Sequence, residues 1–460
     1  MTGGKSYFFC GIGGSGMLPL ALIVHGQGAG VSGSDRSYDQ GKNPEKFEYL
    51  EKQGIALFPQ DGSGLKAGMS ALVVSTAVED HIPDIKVAKD LGIPVIHRAR
   101  LLADLFNGAR TKVAVAGTSG KTTVTGMTGF ALQELGRAPT VMNGGIFRNY
   151  SRENPYGSAL VGAGEIFVTE ADESDGSIAL YEPDIAVLNN VALDHKPLEE
   201  LKPLFETFLK RAGTAVVNFD NEAARLLAKD HPGTVIGFGL DGAEASLTAR
   251  DVTFSPDDVT ATILFEGQEA GLKIGLPGRH NLLNALAAIG ALAALGISLE
   301  ESCAVLARFT GIRRRMELVG CKNGVTVMDD FAHNPDKIAA TLQSLRRFPG
   351  RKIVFFQPHG YGFLKQLHMP LAGSFSAHLD AEDVLYLVEP YYAGGTVDRS
   401  IGSKDLAAQI NGPHVDLCAD REEVRAHILS IARGGDRIIV MGARDDTLSD
   451  FAREIYAALP

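Results

Sequence analysis

Residues 117–123, Gly-Thr-Ser-Gly-Lys-Thr-Thr, place a flexible backbone, a cation and several hydroxyls within seven positions. Those residue types suit phosphate. The backbone N–H groups of a glycine turn converge on phosphate oxygens, the Lys121 ammonium reaches the terminal phosphates, and Thr122 can hold Mg²⁺. The spacing is a short variant of the general nucleotide loop: Gly117 stands three residues before Gly120, and Val115 occupies the place of the usual first glycine. An ordinary strand-helix turn with a solvated lysine is the alternative.

Two further stretches carry groups that fit the same chemistry. Glu165 to Asp175 ends an apolar run in a cluster of carboxylates, Glu170, Asp172, Glu173 and Asp175. Carboxylates at the carboxyl end of a parallel strand, beside a phosphate loop, are where the Mg²⁺ of an ATP site is expected; a solvated acidic turn is the plainer reading. The run Ile185 to Asn190 leads to Asp194 and His195, which places His195 at the same edge. Near the N-terminus, Gly11, Gly13 and Gly16 follow a first strand in GxGxxG register, and Asp35 closes the next strand. Alone this is a dinucleotide fingerprint, yet the geometry serves any pyrophosphate at a helix N-terminus, so both NAD and another nucleotide diphosphate stay open.

The elements that must hold these groups are read from the alternation of apolar runs and helical patterns. Strands are expected at Ser6–Cys10, Gly30–Ser32, Ala71–Ser75 and Ile93–Ile96, with helices at Gly16–His25, Lys46–Gln53 and Pro83–Leu91. Such alternation predicts a parallel sheet with right-handed crossovers. A linker is expected near Asn107–Thr111, then the strand Val113–Ala116 feeding the phosphate loop and its helix. Short alternating runs from Gly233 to Gly275 suit antiparallel strands. The last third returns to alternation, with strands at Val325–Met328, Lys352–Phe356, Val384–Val388 and Asp436–Met441, and helices at Ser374–His378, Glu422–Arg433 and Leu448–Leu459. The fold expected is α/β in three domains: a Rossmann-like unit (1–107), a central P-loop ATPase-like domain with a parallel sheet plus small antiparallel strands (108–311), and a second Rossmann-like unit (312–460).

Composition narrows the partners. The 460 residues are 45% hydrophobic and 22% charged, which describes a chain with ample core. A formal net charge of −11 argues against nucleic acid or an anionic membrane, so phosphate must be met by local devices and the partner is a small molecule. Cys10, Cys303, Cys321 and Cys418 are scattered, as in reduced cytoplasmic proteins. Neither a signal-peptide pattern nor an uncharged apolar membrane span is evident.

Taken together the motifs resemble the Mur ligases, the ATP-dependent amide ligases of peptidoglycan synthesis. They are Gly11-Ile-Gly-Gly-Ser-Gly-Met17, Ser32-Gly-Ser-Asp35, Gly117 to Thr123, Glu170-Ala-Asp-Glu-Ser-Asp175, Asp194-His195, Leu276-Pro-Gly-Arg-His-Asn281 and Asp330-Phe-Ala-His-Asn-Pro335. The resemblance covers nearly the whole chain and is greatest to members that join L-alanine to UDP-N-acetylmuramate. It implies that the first domain takes the UDP-sugar through Gly11, Gly13, Gly14, Ser15, Gly16, Met17, Ser34, Asp35 and Ser75. The central domain would take ATP and Mg²⁺ through Gly117, Thr118, Ser119, Gly120, Lys121, Thr122 and Thr123, with Thr122, Glu170 and His195 around the metal and His280 and Asn281 near the nucleotide. In the last domain, which would close over ATP, Arg315 would meet phosphate and Asp330 ribose, and His333 would lie near the same closed site. Lys121, Glu170, His195 and His333 would be the catalytic set. The partners implied are UDP-N-acetylmuramate and an amino acid or short peptide, acted on by a monomer or weak homodimer. Four departures from the L-alanine members bear on the amine: Ser119 stands where they usually carry His, Lys196-Pro-Leu after His195 is unusual, His333-Asn334-Pro335 replaces His-His-Pro, and Gln357 to Phe363 lacks their usual Arg and Thr. A ligase that accepts a whole tripeptide, and a divergent member with another amine or carboxylate, are the alternatives.

Overall fold

The computed structural model describes residues 4–76, 78–79, 81–192, 198–241, 244–346, 348–392, 398–445 and 447–460. Twenty-one strands in these residues form three sheets. The first contains β1 (Ser6–Cys10), β2 (Gly30–Ser34), β3 (Ala56–Phe58), β4 (Ala71–Val74) and β5 (Val95–His97) in the order β3-β2-β1-β4-β5, all parallel. Strand order therefore reverses between β1 and β4, and at such a switch point the carboxyl ends of the strands open a crevice. The glycine turn begins there. Its helix, Met17–Gly26, is apolar on every side and is buried over eight consecutive residues, as a helix enclosed by two layers must be.

The second sheet contains β6 (Thr111–Ala116), β7 (Thr140–Met142), β8 (Ala159–Leu160), β9 (Ile166–Glu170), β10 (Ile185–Leu188), β11 (Thr214–Asn218), β12 (Thr234–Phe238), β13 (Leu247–Phe254), β14 (Val259–Phe265) and β15 (Gln268–Ile274). Their order is β15-β14-β13-β12-β11-β10-β6-β9-β7-β8, with β6 parallel to both β9 and β10. The phosphate loop thus leaves the middle of a sheet whose two flanking strands end in Glu170 on one side and Asn189-Asn190 on the other. One antiparallel pair, β7 with β8, lies well before the expected stretch, and the first strand of residues 233–275 is not antiparallel. β12 pairs parallel with β11, because the helix Glu222–Ala228 supplies a crossover between them. Beyond it, Glu266 and Gly267 both have positive φ and form the tight turn that joins β14 to β15.

The third sheet contains β16 (Glu317–Lys322), β17 (Val325–Asp330), β18 (Lys352–Gln357), β19 (Val384–Leu387), β20 (His414–Leu417) and β21 (Arg437–Gly442) in the order β16-β17-β21-β18-β19-β20. Only β16 runs antiparallel to its neighbour. The helix expected at Ser374 begins at Tyr361 and runs through Pro370 to His378. Gly362, Gly373 and Pro370 disguise it, whereas buried Leu364, Leu371 and Phe375 give it an apolar stripe, Phe375 packing on Phe356 at 5.3 Å between ring centroids.

The residues divide into two compact units, one of residues 1–252, 260–274 and 282–309, the other of 253–259, 275–281 and 310–460. The first unit carries both of the first two sheets. Residues 107–111 are accordingly a packed junction and not a loose linker. Phe106 is fully buried against Phe167 and Tyr181, and the Asn107 side chain donates to Leu180 O and accepts from Glu182 N, both at 2.9 Å. Among the described residues no helix is long and apolar enough to cross a membrane.

Candidate active site

In the first unit the chain leaves β6 into the phosphate loop with Gly117 at φ +134° and Gly120 at φ +85°. Both conformations favour glycine, and neither position has room for a side chain: a Cβ on Gly117 would lie 3.0 Å from Asn190 N, one on Gly120 2.2 Å from Asn189 Nδ2. The two asparagines at the end of β10 hold the loop. Asn190 Oδ1 accepts from Thr118 Oγ1 at 2.7 Å and from Ser119 N at 2.8 Å, and Asn190 Nδ2 donates to Ser119 O at 3.0 Å. Asn189 Nδ2 donates to Ser119 O and to Asn284 Oδ1. None of these three asparagines was singled out from sequence; a signal was present only in the Asn-Asn pair ending an apolar run.

Lys121 opens the helix Lys121–Glu134. Its Nζ donates to Gly117 O at 2.8 Å and Glu173 Oε2 at 2.7 Å, with Asp172 at 3.8 Å. Burial opposes the ammonium charge, but Glu173, Asp172 and Glu170 outweigh it and hold the lysine above its usual range. Burial pushes the Glu173 carboxyl up, which Lys121 partly offsets. Sequence reading placed Glu173 in the acidic run without a role; here it is the direct partner of the lysine.

Glu170, at the end of β9, accepts from Thr122 Oγ1 at 3.1 Å through one oxygen and from Gly144 N through the other. A hydroxyl and a carboxylate side by side at the mouth of a phosphate loop are hard oxygen donors of the kind Mg²⁺ takes alongside phosphate oxygens, so this pair fits the ion. The third expected ligand, His195, lies outside the described residues, as does Asp194.

At the first turn, Gly11 N and Ile12 N both donate to Ser34 O. Asp35 accepts from Gly13 N at 2.9 Å and Ser37 N at 2.8 Å, so its carboxylate pins the turn and caps the short helix Arg36–Asp39. Gly14 and Ser15 are exposed, Gly16 and Ser75 half-buried, and Met17 belongs to the core. Ser34 is fully buried with its hydroxyl turned inward onto Asp84. Arg98, which sequence reading passed over, lies against Gly16, with its guanidinium carbon 3.2 Å from where a Cβ would be, and its Nη2 is 3.8 Å from Asp175. A cation at this helix N-terminus favours an anion there.

In the second unit, Asp330 ends β17 nearly buried, accepting from Met316 N and from Thr341 Oγ1. Burial raises its carboxyl above the usual range. Arg315 lies over the Phe331 ring at 4.8 Å. His333 Nδ1 donates to Phe331 O at 2.9 Å, and its ring stands 5.0 Å from His359. His280 Nδ1 meets Ser344 Oγ at 3.2 Å, while Ser344 gives its own proton to Ala340 O. Asn281 Nδ2 donates to Pro277 O at 2.8 Å, closing the turn before the helix Arg279–Ala294.

These histidines should make the fold lose stability in acid. Burial, with some help from Lys337, pushes His333 down to about 2, and burial pushes His280 to about 4. The unfolded chain takes up a proton at each from roughly pH 6.5 downward and the folded chain does not, so stability present at neutral pH is lost on acidification. Asp329, pushed up to about 6 by burial, acts in the opposite sense, because the folded state protonates first. Between pH 7 and 5 each histidine withdraws about 2 kcal/mol and Asp329 returns about 1 kcal/mol. Denaturant unfolding at both pH values checks this: the His280→Gln/His333→Gln variant should lose distinctly less stability at pH 5 than the parent, and equal losses would refute the assignment.

Comparison with known proteins covers nearly the whole chain. Residues 6–110 match the Mur ligase family catalytic domain, 115–292 the Mur ligase middle domain, and 314–444 the Mur ligase glutamate ligase domain. The UDP-N-acetylmuramate–L-alanine ligase of Streptomyces avermitilis is 37% identical over 454 residues, covering 95% of this chain and 94% of that one. The ligase of the same name from Nitratidesulfovibrio vulgaris is 37% identical over 452 residues, covering 95% and 96%. Among solved structures, the UDP-N-acetylmuramate-alanine ligase of Thermotoga maritima superposes with a TM-score of 0.79 at 25% identity, covering 98% of each chain. A murein peptide ligase from Psychrobacter arcticus shares the fold, with a TM-score of 0.73 at 24% identity over 99% and 98% of the two chains. With its phosphate loop, acidic strand end and glycine turn all in the places those matches cover, the chain belongs to the Mur ligase family.

Proposed function

We propose that this chain is an ATP-dependent ligase of peptidoglycan synthesis that joins L-alanine to the carboxylate of UDP-N-acetylmuramate, releasing ADP and phosphate. The observation that carries the reading is the pairing of Lys121 with Glu173 beside the Thr122–Glu170 pair, at the mouth of one phosphate loop. The relatives with matching names supply the substrates. In this reading residues 1–107 take the sugar nucleotide, 108–311 take ATP and 312–460 contribute to the amine site.

A carboxylate is a poor electrophile because its leaving group would be oxide. Transfer of the γ-phosphoryl group makes an acyl phosphate; the amine then attacks the carbonyl carbon, and phosphate departs from the tetrahedral intermediate. No side-chain nucleophile is needed. The N–H groups of residues 117–120 orient the phosphates, and Lys121 neutralises charge that builds up during transfer. Thr122 and Glu170 would hold Mg²⁺, with His195 as the further candidate, and the ion supplies additional neutralisation when bound.

Phosphate release from ATP with UDP-N-acetylmuramate, screened over single amino acids and the L-Ala-γ-D-Glu-diaminopimelate tripeptide, tests the proposal. Turnover is expected with L-alanine. Turnover with the tripeptide alone would reassign the chain to attachment of a preformed peptide, and no turnover with any amine, from folded protein that binds ATP, would overturn the muramate reading.

A further inference from the structure

Asp84, the second residue of the helix Pro83–Asp90, is a carboxylate with no exposure to solvent. Its Oδ2 accepts from Ser34 Oγ at 2.5 Å and its Oδ1 from Gly62 N at 2.8 Å. Three segments therefore meet on one side chain: the end of β2, the loop after β3 and the helix that follows β4. Cys10, at the end of β1, lies against the same pair and accepts from Gln60 Nε2 at 3.4 Å. Burial holds the Asp84 carboxyl above its usual range, so the group costs stability that a well-packed apolar residue would not.

What the carboxylate holds is the glycine turn. Ser34 O accepts from Gly11 N at 2.8 Å and Ile12 N at 3.0 Å, and the next residue, Asp35, takes Gly13 N. The first half of the turn hangs on the end of β2, and the end of β2 is tied to Asp84. We propose that Asp84 is a positioning residue for the diphosphate of the sugar nucleotide, acting through Ser34 to fix the turn from Gly11 to Gly16. This rests on the reading that the turn receives that diphosphate.

Calorimetric titration of the full chain with UDP, with ATP as the control ligand, tests the inference in the parent, Asp84→Ala, Asp84→Asn, Ser34→Ala and the Ser34→Ala/Asp84→Ala double variant. Asp84→Ala should weaken UDP about tenfold, the size of a lost hydrogen bond to a charged group, with ATP affinity unchanged. Asp84→Asn, which can still accept from Gly62 N and donate to Ser34 Oγ, should recover most of the UDP affinity. The double variant should bind UDP no worse than Asp84→Ala alone, because the two residues act in series. Should Asp84→Ala not fold, Ser34→Ala and Asp84→Asn carry the same comparison. Unchanged UDP binding in the variants, additive losses, or parallel losses of UDP and ATP would overturn the positioning role. A parent chain that binds ATP but not UDP would instead overturn the reading of the turn, and the role with it.

Discussion

Lys121→Met is expected to abolish turnover, with kcat reduced about 10³-fold or more, the scale on which a charge-neutralising group acts in phosphoryl transfer. The same substitution also costs stability. Glu173, only 3% exposed, loses the ammonium that sits 2.7 Å from it, and a stranded buried carboxylate costs about 3–5 kcal/mol before it takes up a proton. Burial raises the Glu173 carboxyl and Lys121 lowers it, so loss of the lysine moves the carboxyl further up and eases proton uptake, and the variant should remain folded. The double variant Lys121→Met/Glu173→Gln separates the two effects. Its denaturation midpoint should return toward that of the parent while phosphate release stays lost. Recovery of turnover in the double variant would mean that the stranded carboxylate, and not the missing cation, had stopped the reaction. A single variant within tenfold of the parent would remove Lys121 from the phosphate site altogether.

The phosphate loop was legible because its chemistry is local. Glycine, lysine and threonine in consecutive positions state what they bind wherever the fold places them, and Val113 to Ala116 state the strand that delivers them. The partners of that loop were not legible. Asn189 and Asn190 hold Ser119 only because β10 lies next to β6, a neighbour relation that belongs to sheet order, and Asn284 arrives from a helix some 95 positions later in sequence than Asn189. Glu173 could be counted among the acidic residues of its run, but which carboxylate faces Lys121 and which faces Thr122 depends on where β9 ends.

The fold shows the same division. Strands with strong aromatic or valine-bearing runs, β1 with the first and β4, β6 and β17 with the second, were read close to their observed bounds, whereas β3 has three residues and no periodicity to detect. The helix from Tyr361 was hidden by its own Gly362 and Pro370, and its apolar stripe becomes visible only against the Phe356 face of β18. Asp35 is instructive in the first sheet. Its spacing from the glycines completed a dinucleotide fingerprint, and what spacing alone does not reveal is the local capping demand that its carboxylate meets at Gly13 N and Ser37 N.

Gly120→Ala should do nearly as much damage as loss of the lysine, and by a route that no charge argument covers. At φ +85° an alanine carries roughly 1–2 kcal/mol of backbone strain. Its Cβ would also lie 2.2 Å from Asn189 Nδ2 and 2.6 Å from Asn284 Oδ1, so one or both asparagines must move. Asn189 Nδ2 cannot retreat and keep its bonds to Ser119 O and Asn284 Oδ1, and each buried bond lost costs about 1–3 kcal/mol. The loop shifts with them, and a displacement near 1 Å at a phosphate-positioning element is worth about 100-fold in rate. Gly136→Ala is the internal control. Gly136 has φ +72° and nothing within 4 Å of the Cβ position, so it pays the backbone strain without the contact. The expected result is a Gly136→Ala enzyme with near-parental turnover and a small drop in melting temperature, and a Gly120→Ala enzyme with at least about 100-fold slower phosphate release and a drop several times larger. Equal behaviour of the two variants would show that the Asn189–Asn284 wall does not constrain the loop, and that the left-handed backbone alone accounts for a glycine at position 120.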